Sequence, residues 1–176
     1  KVSEQIMDKM NFKHYMLKEI YDQPQTAKNW LENYLIQNLE EGKYQINYSF
    51  NTKFFESIER VEIIACGTSK HAAMVGSFLL EQFSGIPTNV FYASEFRYSP
   101  PPLLPNTLTI GVTQSGETAD TIAAIDMEIK RRSSINDKKF QPNLIAITNR
   151  KESSIGRQIS NIIDICAGIE VGVAAT

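Results

Sequence analysis

The sequence predicts an α/β fold in which a five-stranded parallel sheet lies between two layers of helices, a three-layer αβα sandwich. From Ile58 onward, short apolar runs rich in β-branched residues alternate with segments of helical spacing, as in sheets joined by crossover helices. The run 108–112 carries no charge, which is typical of a strand buried on both faces of such a sheet. Residues 1–42 show helical spacing and little alternation, so a helical segment is expected before the sheet.

This helical segment is predicted to contain two helices. Apolar residues fall at helical spacing around Ile20 and again from Trp30 to Leu39. We expect a break near Pro24, because proline disfavours helical geometry in the residue before it and suits a first helical turn. Residues 42–51 are expected to form a connection to the sheet.

The remaining elements follow from the change between strand and helix periods along the chain. The predicted strands are 60–66, 88–93, 107–113, 143–148 and 161–166, and the predicted helices are 69–84, 94–98, 116–132 and 153–159. Crossovers between parallel strands are right-handed, which leaves a small set of open, doubly wound topologies. Residues 133–141 are expected to form a solvated surface loop.

Length and charge limit the classes of function. The 176 residues suit one domain of ordinary size, or one domain plus a helical appendage. The formal net charge of −2 gives no basic field for binding nucleic acid, and no apolar run approaches the ~20 residues of a membrane span. Cys66 and Cys166 provide no disulfide framework and favour a cytoplasmic location. The start at Lys1 is interpreted as a cut inside a longer protein.

The segment from Thr113 to Thr118 joins the third predicted strand to a helix and is the first candidate site. A helix that begins here has unpaired N–H groups and partial positive charge in its first turn. The hydroxyls of Thr113, Ser115 and Thr118 and the carboxamide of Gln114 surround those amides, so neutral groups could hold a phosphate-sized anion. The alternative is that Ser115 only caps the helix while Glu117 complements its dipole.

A second loop, Cys66-Gly67-Thr68-Ser69, repeats this arrangement at the end of the first predicted strand. Ligands of open parallel sheets collect beyond the carboxyl ends of the strands. Two such loops on adjacent strands could therefore enclose one phosphorylated small molecule. Taken singly, either loop is also explained by ordinary helix capping.

Other kinds of site find little support in the sequence. No G-x-G-x-x-G follows the first strand and no G-x-x-x-x-G-K-[ST] occurs, which disfavours dinucleotide and Walker-type nucleotide binding. His14 and His71 have no partners at metal-ligand spacing, so neither a metal nor another cofactor is expected. Cys66 is interpreted as a buried structural thiol. Glu95 is interpreted as an ion-pair partner of Arg97 or as a helix-start carboxylate.

Four short motifs recur together in one known family. They are Ile64-Ala65-Cys66-Gly67-Thr68-Ser69, Ala93-Ser94-Glu95-Phe96-Arg97-Tyr98, Gln114-Ser115-Gly116-Glu117-Thr118-Ala119-Asp120-Thr121 and Gly172-Val173-Ala174. In order and spacing they resemble the first sugar-isomerase (SIS) domain of glutamine–fructose-6-phosphate aminotransferases. The segment from His14 to Pro24 is similar to the one that follows the glutaminase domain in that family. The resemblance implies the SIS version of the predicted sandwich, which is flavodoxin-like.

The resemblance also implies a function and a set of site residues. The family makes glucosamine 6-phosphate from fructose 6-phosphate, with ammonia channelled from glutamine. The implied phosphate site consists of Ser69, Thr113, Gln114, Ser115 and Thr118. Thr68 and the backbone around Val173 would face the sugar. No catalytic residue is expected here, because the family's Schiff-base lysine, ring-opening histidine and general-base glutamate belong to the second SIS domain and the C-terminal tail.

Domain organisation and partners follow from the same resemblance. Residues 1–55 are expected to be an N-terminal helical segment, and residues 56–176 the first SIS domain, truncated at its C-terminus. The expected partners are fructose 6-phosphate or glucosamine 6-phosphate, the glutaminase and second SIS domains of the longer polypeptide, and a second copy in a homodimer. The chain alone is expected to bind its ligand without turnover.

Two departures from the family pattern and two alternative functions accompany this hypothesis. Thr113 stands where serine is frequent and keeps the hydroxyl, whereas Ala175 stands where serine is usual and lacks it.

A non-catalytic, sugar-phosphate-sensing SIS module would use the same fold, since function does not follow from fold. A free-standing phosphosugar isomerase would need a catalytic glutamate and histidine at the site.

Overall fold

The computed structural model describes residues 9–38, 42–47 and 52–172. The helices are α1 (Tyr15–Tyr34), α2 (Gly67–Ser84), α3 (Ala93–Phe96), α4 (Ala119–Ser133) and α5 (Ser154–Gln158), and two 3₁₀ turns cover Thr52–Phe55 and Lys138–Phe140. The strands are β1 (Leu35–Asn38), β2 (Lys43–Ile46), β3 (Arg60–Ala65), β4 (Thr88–Tyr92), β5 (Thr107–Val112), β6 (Asn143–Thr148) and β7 (Ile162–Asp164).

Five of these strands form one parallel sheet in the order β4-β3-β5-β6-β7. β4 lies on one side of β3, and the chain then crosses to the other side of β3, where β5, β6 and β7 follow in order. The switch lies between β3 and β5, whose carboxyl ends at Ala65 and Val112 are in register. Ligands of doubly wound sheets bind at such a switch. All five predicted strands are present, and the one predicted at 161–166 ends early, at Asp164.

Helices cover both faces of this sheet. On one face, α2 packs through Ala73 onto a cluster that includes Ile63. On the other face, α3, α4 and α5 contribute Phe96, Ile125 and Ile155 to a second cluster. Such an assignment of helices to faces is what right-handed crossovers require for this strand order. The predicted α/β sandwich with a five-stranded parallel sheet is confirmed.

The N-terminal segment differs from the prediction, because α1 is one continuous helix with Pro24 inside it. Proline removes only its own bond to the carbonyl of Ile20, and both residues are exposed, so water can hydrate that carbonyl. The turn before Pro24 is stabilised by an ion pair between Lys18 and Asp22. The predicted break therefore does not occur.

The second predicted helix also ends sooner than its apolar spacing indicates. β1 pairs antiparallel with β2, with Leu35 opposite Ile46. Residues 35–38 thus belong to a hairpin, and part of the predicted connection is its second strand. Strand pairing satisfies the backbone N–H and C=O groups of both segments. The apolar spacing within one segment does not reveal such a partner. Leu39 and residues 48–51 lie outside the described residues.

The described residues contain neither a candidate membrane span nor a group of metal ligands. Within residues 9–38, 42–47 and 52–172, no helix has both the length and the apolar composition needed to cross a membrane. In that part of the chain, no three His, Cys, Asp or Glu side chains are grouped as in a metal site.

Candidate functional site

The loops that follow β3 and β5 lie side by side at the carboxyl edge of the sheet, since these two strands are paired. After β3, Gly67 adopts a φ of 54° and α2 begins at once. Cys66 occupies the N-cap of α2 and its side chain makes no capping hydrogen bond. The first turn of α2, which contains Thr68 and Ser69, therefore directs backbone N–H groups to this edge without a side-chain cap.

The loop after β5 is organised by hydroxyl groups. Thr113 is buried, and its Oγ1 lies 2.9 Å from Oγ1 of Thr118. Gly116 N donates to Thr113 Oγ1 at 3.3 Å, and Glu117 N donates to Ser115 Oγ at 3.2 Å. The predicted helix 116–132 begins later, at Ala119, with Thr118 at the N-cap and no side-chain capping bond. Ser115 thus closes a turn within the loop and does not cap α4.

Gly116 and Glu117 attach this loop to the start of α5. Ile155 N donates to the carbonyl of Gly116 at 3.1 Å. Ser154 N and Ser154 Oγ donate to the two carboxylate oxygens of Glu117, at 2.8 and 2.7 Å. These bonds from Ser154 lower the pKa of Glu117. The carboxylate of Glu117 therefore stabilises the first turn of α5.

Two cavities adjoin at this edge of the sheet. The first, of about 480 Å³, contains Gln114 and Ser115 in its wall. The second, of about 590 Å³, contains Thr68, Ser69 and Gln114. Both are also lined by residues 167–170, which follow β7. Volumes of this size are typical of small-molecule sites.

The structure thus brings four of the residues implied by the resemblance to one place: Thr68, Ser69, Gln114 and Ser115. Thr113 and Thr118 support the loop through their mutual hydrogen bond and are not among the lining residues. Val173, and with it residues 174–176, lies outside the described residues.

A third loop, after β6, is not among the predicted parts of the site. Asn149 N and Thr148 Oγ1 donate to the carbonyl of Gln114, at 3.0 and 3.3 Å. Asn149 and Arg150 line the first cavity, so a cation stands beside the hydroxyls that are predicted from the sequence to hold an anion without one. The sequence does contain a signal for this loop, because an apolar strand ends in Thr148-Asn149-Arg150 just as the strands before it end in polar residues.

Glu95 is not among the residues that line the two cavities. Arg97 Nη1 donates instead to Asp120 Oδ1 at 2.7 Å, which ties α3 to the first turn of α4. The hydrogen bond to Asp120 raises the pKa of Arg97. The interpretation of Glu95 as the partner of Arg97 is therefore wrong, and Glu95 remains as an acidic residue in the first turn of α3.

Comparison with known proteins identifies the fold family. The family model of the SIS domain matches residues 54–176 of this chain. The chain belongs to the SIS domain family. The SIS fold was implied by the resemblance and is confirmed, as is the position of the loops at its carboxyl edge.

Individual relatives of this SIS domain carry the name expected from the resemblance. A glutamine–fructose-6-phosphate aminotransferase (isomerizing) from Thermosynechococcus vestitus is 56% identical over 173 residues, which cover 97% of this chain and 28% of that protein. One from Synechocystis sp. is 48% identical, covering 97% of this chain and 27% of the other. The chain thus spans little more than a quarter of the length of these relatives.

A solved structure agrees with this comparison. The C-terminal domain of glucosamine-fructose-6-phosphate aminotransferase from Francisella tularensis superimposes with a TM-score of 0.79 at 34% identity. The match covers 96% of this chain and 44% of that one. This SIS domain therefore resembles part of a larger enzyme in both sequence and fold.

Proposed function

We propose that this chain is the first SIS domain of a glutamine–fructose-6-phosphate aminotransferase and that it binds the phosphate end of fructose 6-phosphate or glucosamine 6-phosphate. The observation that carries the proposal is the pairing of two hydroxyl-bearing loops, at Ser69 and Ser115, beside two cavities at the switch of the sheet that share Gln114 in their walls. The identity to aminotransferases supports the choice of ligand. In this proposal residues 1–55 form the segment after the glutaminase domain and residues 56–176 form the SIS domain.

The phosphate would be held mainly by groups that need no net charge. Amides in the first turn of α2 and hydroxyls of Ser69 and Ser115 donate to its oxygens. The Gln114 carboxamide, at the junction of both cavities, donates as well. Arg150 at the rim adds attraction for the dianion. Thr113 and Thr118 hold the loop in the shape that presents these donors.

The role of the chain in catalysis is to bind and orient. Holding the inert phosphate end fixes where the carbonyl end of the sugar lies, and such positioning alone accelerates a reaction between bound groups. The base, the imine-forming amine and the ammonia would come from the second SIS domain, the C-terminal tail and the glutaminase domain. A sensing module is not favoured, because the compared relatives are named as enzymes.

The proposal extends to partners and location. A homodimer of the longer polypeptide needs apolar surface, and Phe78 and Phe83 of α2 are 71% and 80% exposed. The unpaired thiols of Cys66 and Cys166 support a reducing, cytoplasmic setting.

Titration calorimetry of the chain with fructose 6-phosphate tests the proposal. We expect binding by the wild type, and a loss of about tenfold in Ser69→Ala and in Ser115→Ala, because each variant removes a hydrogen bond to a charged group. Ser134→Ala is the matched control: Ser134 lies at the other end of α4, and its hydroxyl donates to the carbonyl of Arg131, far from the two loops in sequence. Absence of binding by the wild type, or equal loss in all three variants, would contradict the proposal.

A second measurement separates the enzyme from a sensor. The chain is combined with a separately produced second SIS domain, glutaminase domain and glutamine, and glucosamine 6-phosphate is assayed. Product formation that Ser115→Ala reduces supports the enzymatic role. Binding of fructose 6-phosphate without product in the combined system would favour the sensor.

A further inference from the structure

The loop that follows β7 reaches back to the N-terminal helix and is held there by one carboxylate. Glu19 Oε1 accepts hydrogen bonds from Val171 N at 2.6 Å and from Gly172 N at 3.0 Å, across 152 residues of sequence. Glu19 is half-buried. Both hydrogen bonds are charge-assisted, because their acceptor is a carboxylate oxygen. Such hydrogen bonds are stronger than those between neutral groups.

Gly172 is the residue that permits this contact. A Cβ added to Gly172 would overlap the Glu19 carboxylate and stand 3.0 Å from Cα of Met16. The Met16 atom belongs to the backbone of α1, so it cannot move aside as a flexible side chain could. Helix and loop are therefore in backbone contact at this point.

This contact closes one side of the second cavity. Glu19, Thr26 and Trp30 of α1 line it together with Thr68 and Ser69, and residues 167–170 complete its wall. At its other end the same loop is held by Asn149, whose Nδ2 donates to the carbonyl of Gly168 at 2.9 Å. The loop of residues 165–172 has no helix or strand of its own, and these two attachments hold its stretch from Gly168 to Gly172 at both ends.

We infer that Glu19 is a positioning residue that fixes residues 168–172 as the sugar-side wall of the binding cavity. This inference rests on the proposed function, since it assigns to α1 and the loop the part of the ligand beyond the phosphate. Without the carboxylate, two amides lose their acceptor and the loop samples more conformations, so that a bound sugar has to order it. Glu19 lies outside residues 54–176, the range that the SIS family model matches. The inference therefore makes the N-terminal helix α1 part of the binding site.

Calorimetry of Glu19→Ala with two probes tests this role. We expect the Kd for fructose 6-phosphate to rise by about tenfold, while the Kd for inorganic phosphate changes by less than about twofold, because phosphate contacts the loops after β3 and β5. Glu19→Gln should recover most of the affinity, since its amide oxygen also accepts a hydrogen bond. Glu32→Ala is the control, because Glu32 is exposed on the same helix and pairs only weakly with Lys28.

Amide hydrogen exchange gives a readout that does not depend on the ligand. In Glu19→Ala, Val171 and Gly172 should exchange faster, with the strands of the sheet unchanged. Unchanged exchange at both amides, or unchanged affinity for fructose 6-phosphate in a variant whose amides exchange faster, would overturn the inference. Failure of the wild type to bind fructose 6-phosphate would instead refute the proposed function, and the sugar-positioning role with it.

Discussion

Thr113 Oγ1 and Thr118 Oγ1 lie 2.9 Å apart and join the end of β5 to the N-cap of α4. Thr118→Val removes this bond and leaves the Thr113 hydroxyl, which is buried, with fewer partners. We expect affinity for fructose 6-phosphate in calorimetry to fall by about tenfold, because the loop loses the bond that shapes it.

A matched control for this variant lies on the same helix. Thr121 is fully buried, and its Oγ1 has no hydrogen-bond partner among the described residues. Thr121→Val should therefore leave affinity within about twofold of the wild type. Thr113→Ser should also retain binding, because it keeps the hydroxyl. Equal affinity of Thr118→Val and Thr121→Val would contradict the assignment.

Gly116 combines a left-handed backbone with a tight contact. Its φ is 68°, and an added Cβ would overlap the side chain of Ser153. Gly116→Ala should lower the free energy of unfolding by about 2–4 kcal/mol, from backbone strain together with overpacking. Urea denaturation measures this loss. Gly76→Ala is the control: Gly76 is in α2 with open space around its Cα, so alanine should stabilise the chain by about 0.5–1 kcal/mol. A neutral Gly116→Ala would show that the loop can adopt another path.

Glu62 belongs to a buried ionic cluster at the amino end of the sheet. Arg132, fully buried, donates from Nε to Glu128 at 2.6 Å, and its Nη2 lies 3.9 Å from Glu62. Burial and the nearby Glu128 raise the pKa of Glu62, against the opposing effect of Arg132, Arg131 and Arg60. The folded state therefore binds this proton more tightly than the unfolded state.

The sign of the pH dependence follows from that raised pKa. The stability that Glu62 contributes is fully present below its ordinary pKa of 4.5 and is lost as pH rises through the folded value. Glu62→Gln should thus gain stability relative to the wild type as pH rises from 4.5 towards neutrality, as measured by urea denaturation at several pH values. Glu59→Gln is the matched control, because Glu59 lies at an exposed position beside β3. A difference that is constant with pH would contradict the prediction.

The pKa of Glu117 is shifted in the opposite direction to that of Glu62. Because Ser154 donates two hydrogen bonds to the ionised carboxylate, the pKa of Glu117 lies below 4.5, and the bonds persist until pH falls through that lowered value. Ser154→Ala removes the hydroxyl donor, so the pKa measured by NMR titration should move up towards 4.5. Ser134→Ala should leave the titration unchanged. An unchanged pKa in Ser154→Ala would show that the backbone amide alone sets it.

Most of the sheet and the candidate site can be predicted from short windows of sequence. Each strand from β3 to β7 is an apolar run that ends in polar or glycine residues, and these local signals are sufficient to identify Ser69 and Ser115 as candidate site residues. Helix starts are less well predicted. The periodicity places the first turn of α4 at Gly116, but the left-handed conformation of that glycine delays the helix to Ala119.

The sequence by itself determined the fold class, the order of strands and helices from β3 onward and the chemical character of the two binding loops, because periodicity and turn chemistry are local properties. Only the tertiary structure decided which groups meet across the chain. Glu117 contacts Ser154, Arg97 contacts Asp120, and Glu19 contacts the backbone of Gly172. Such contacts depend on how strands and helices are placed in space, and no window of neighbouring residues contains that information. Pro24 remained within α1 for a related reason, since the exposure of the carbonyl it leaves unpaired is decided by the packing of the whole helix.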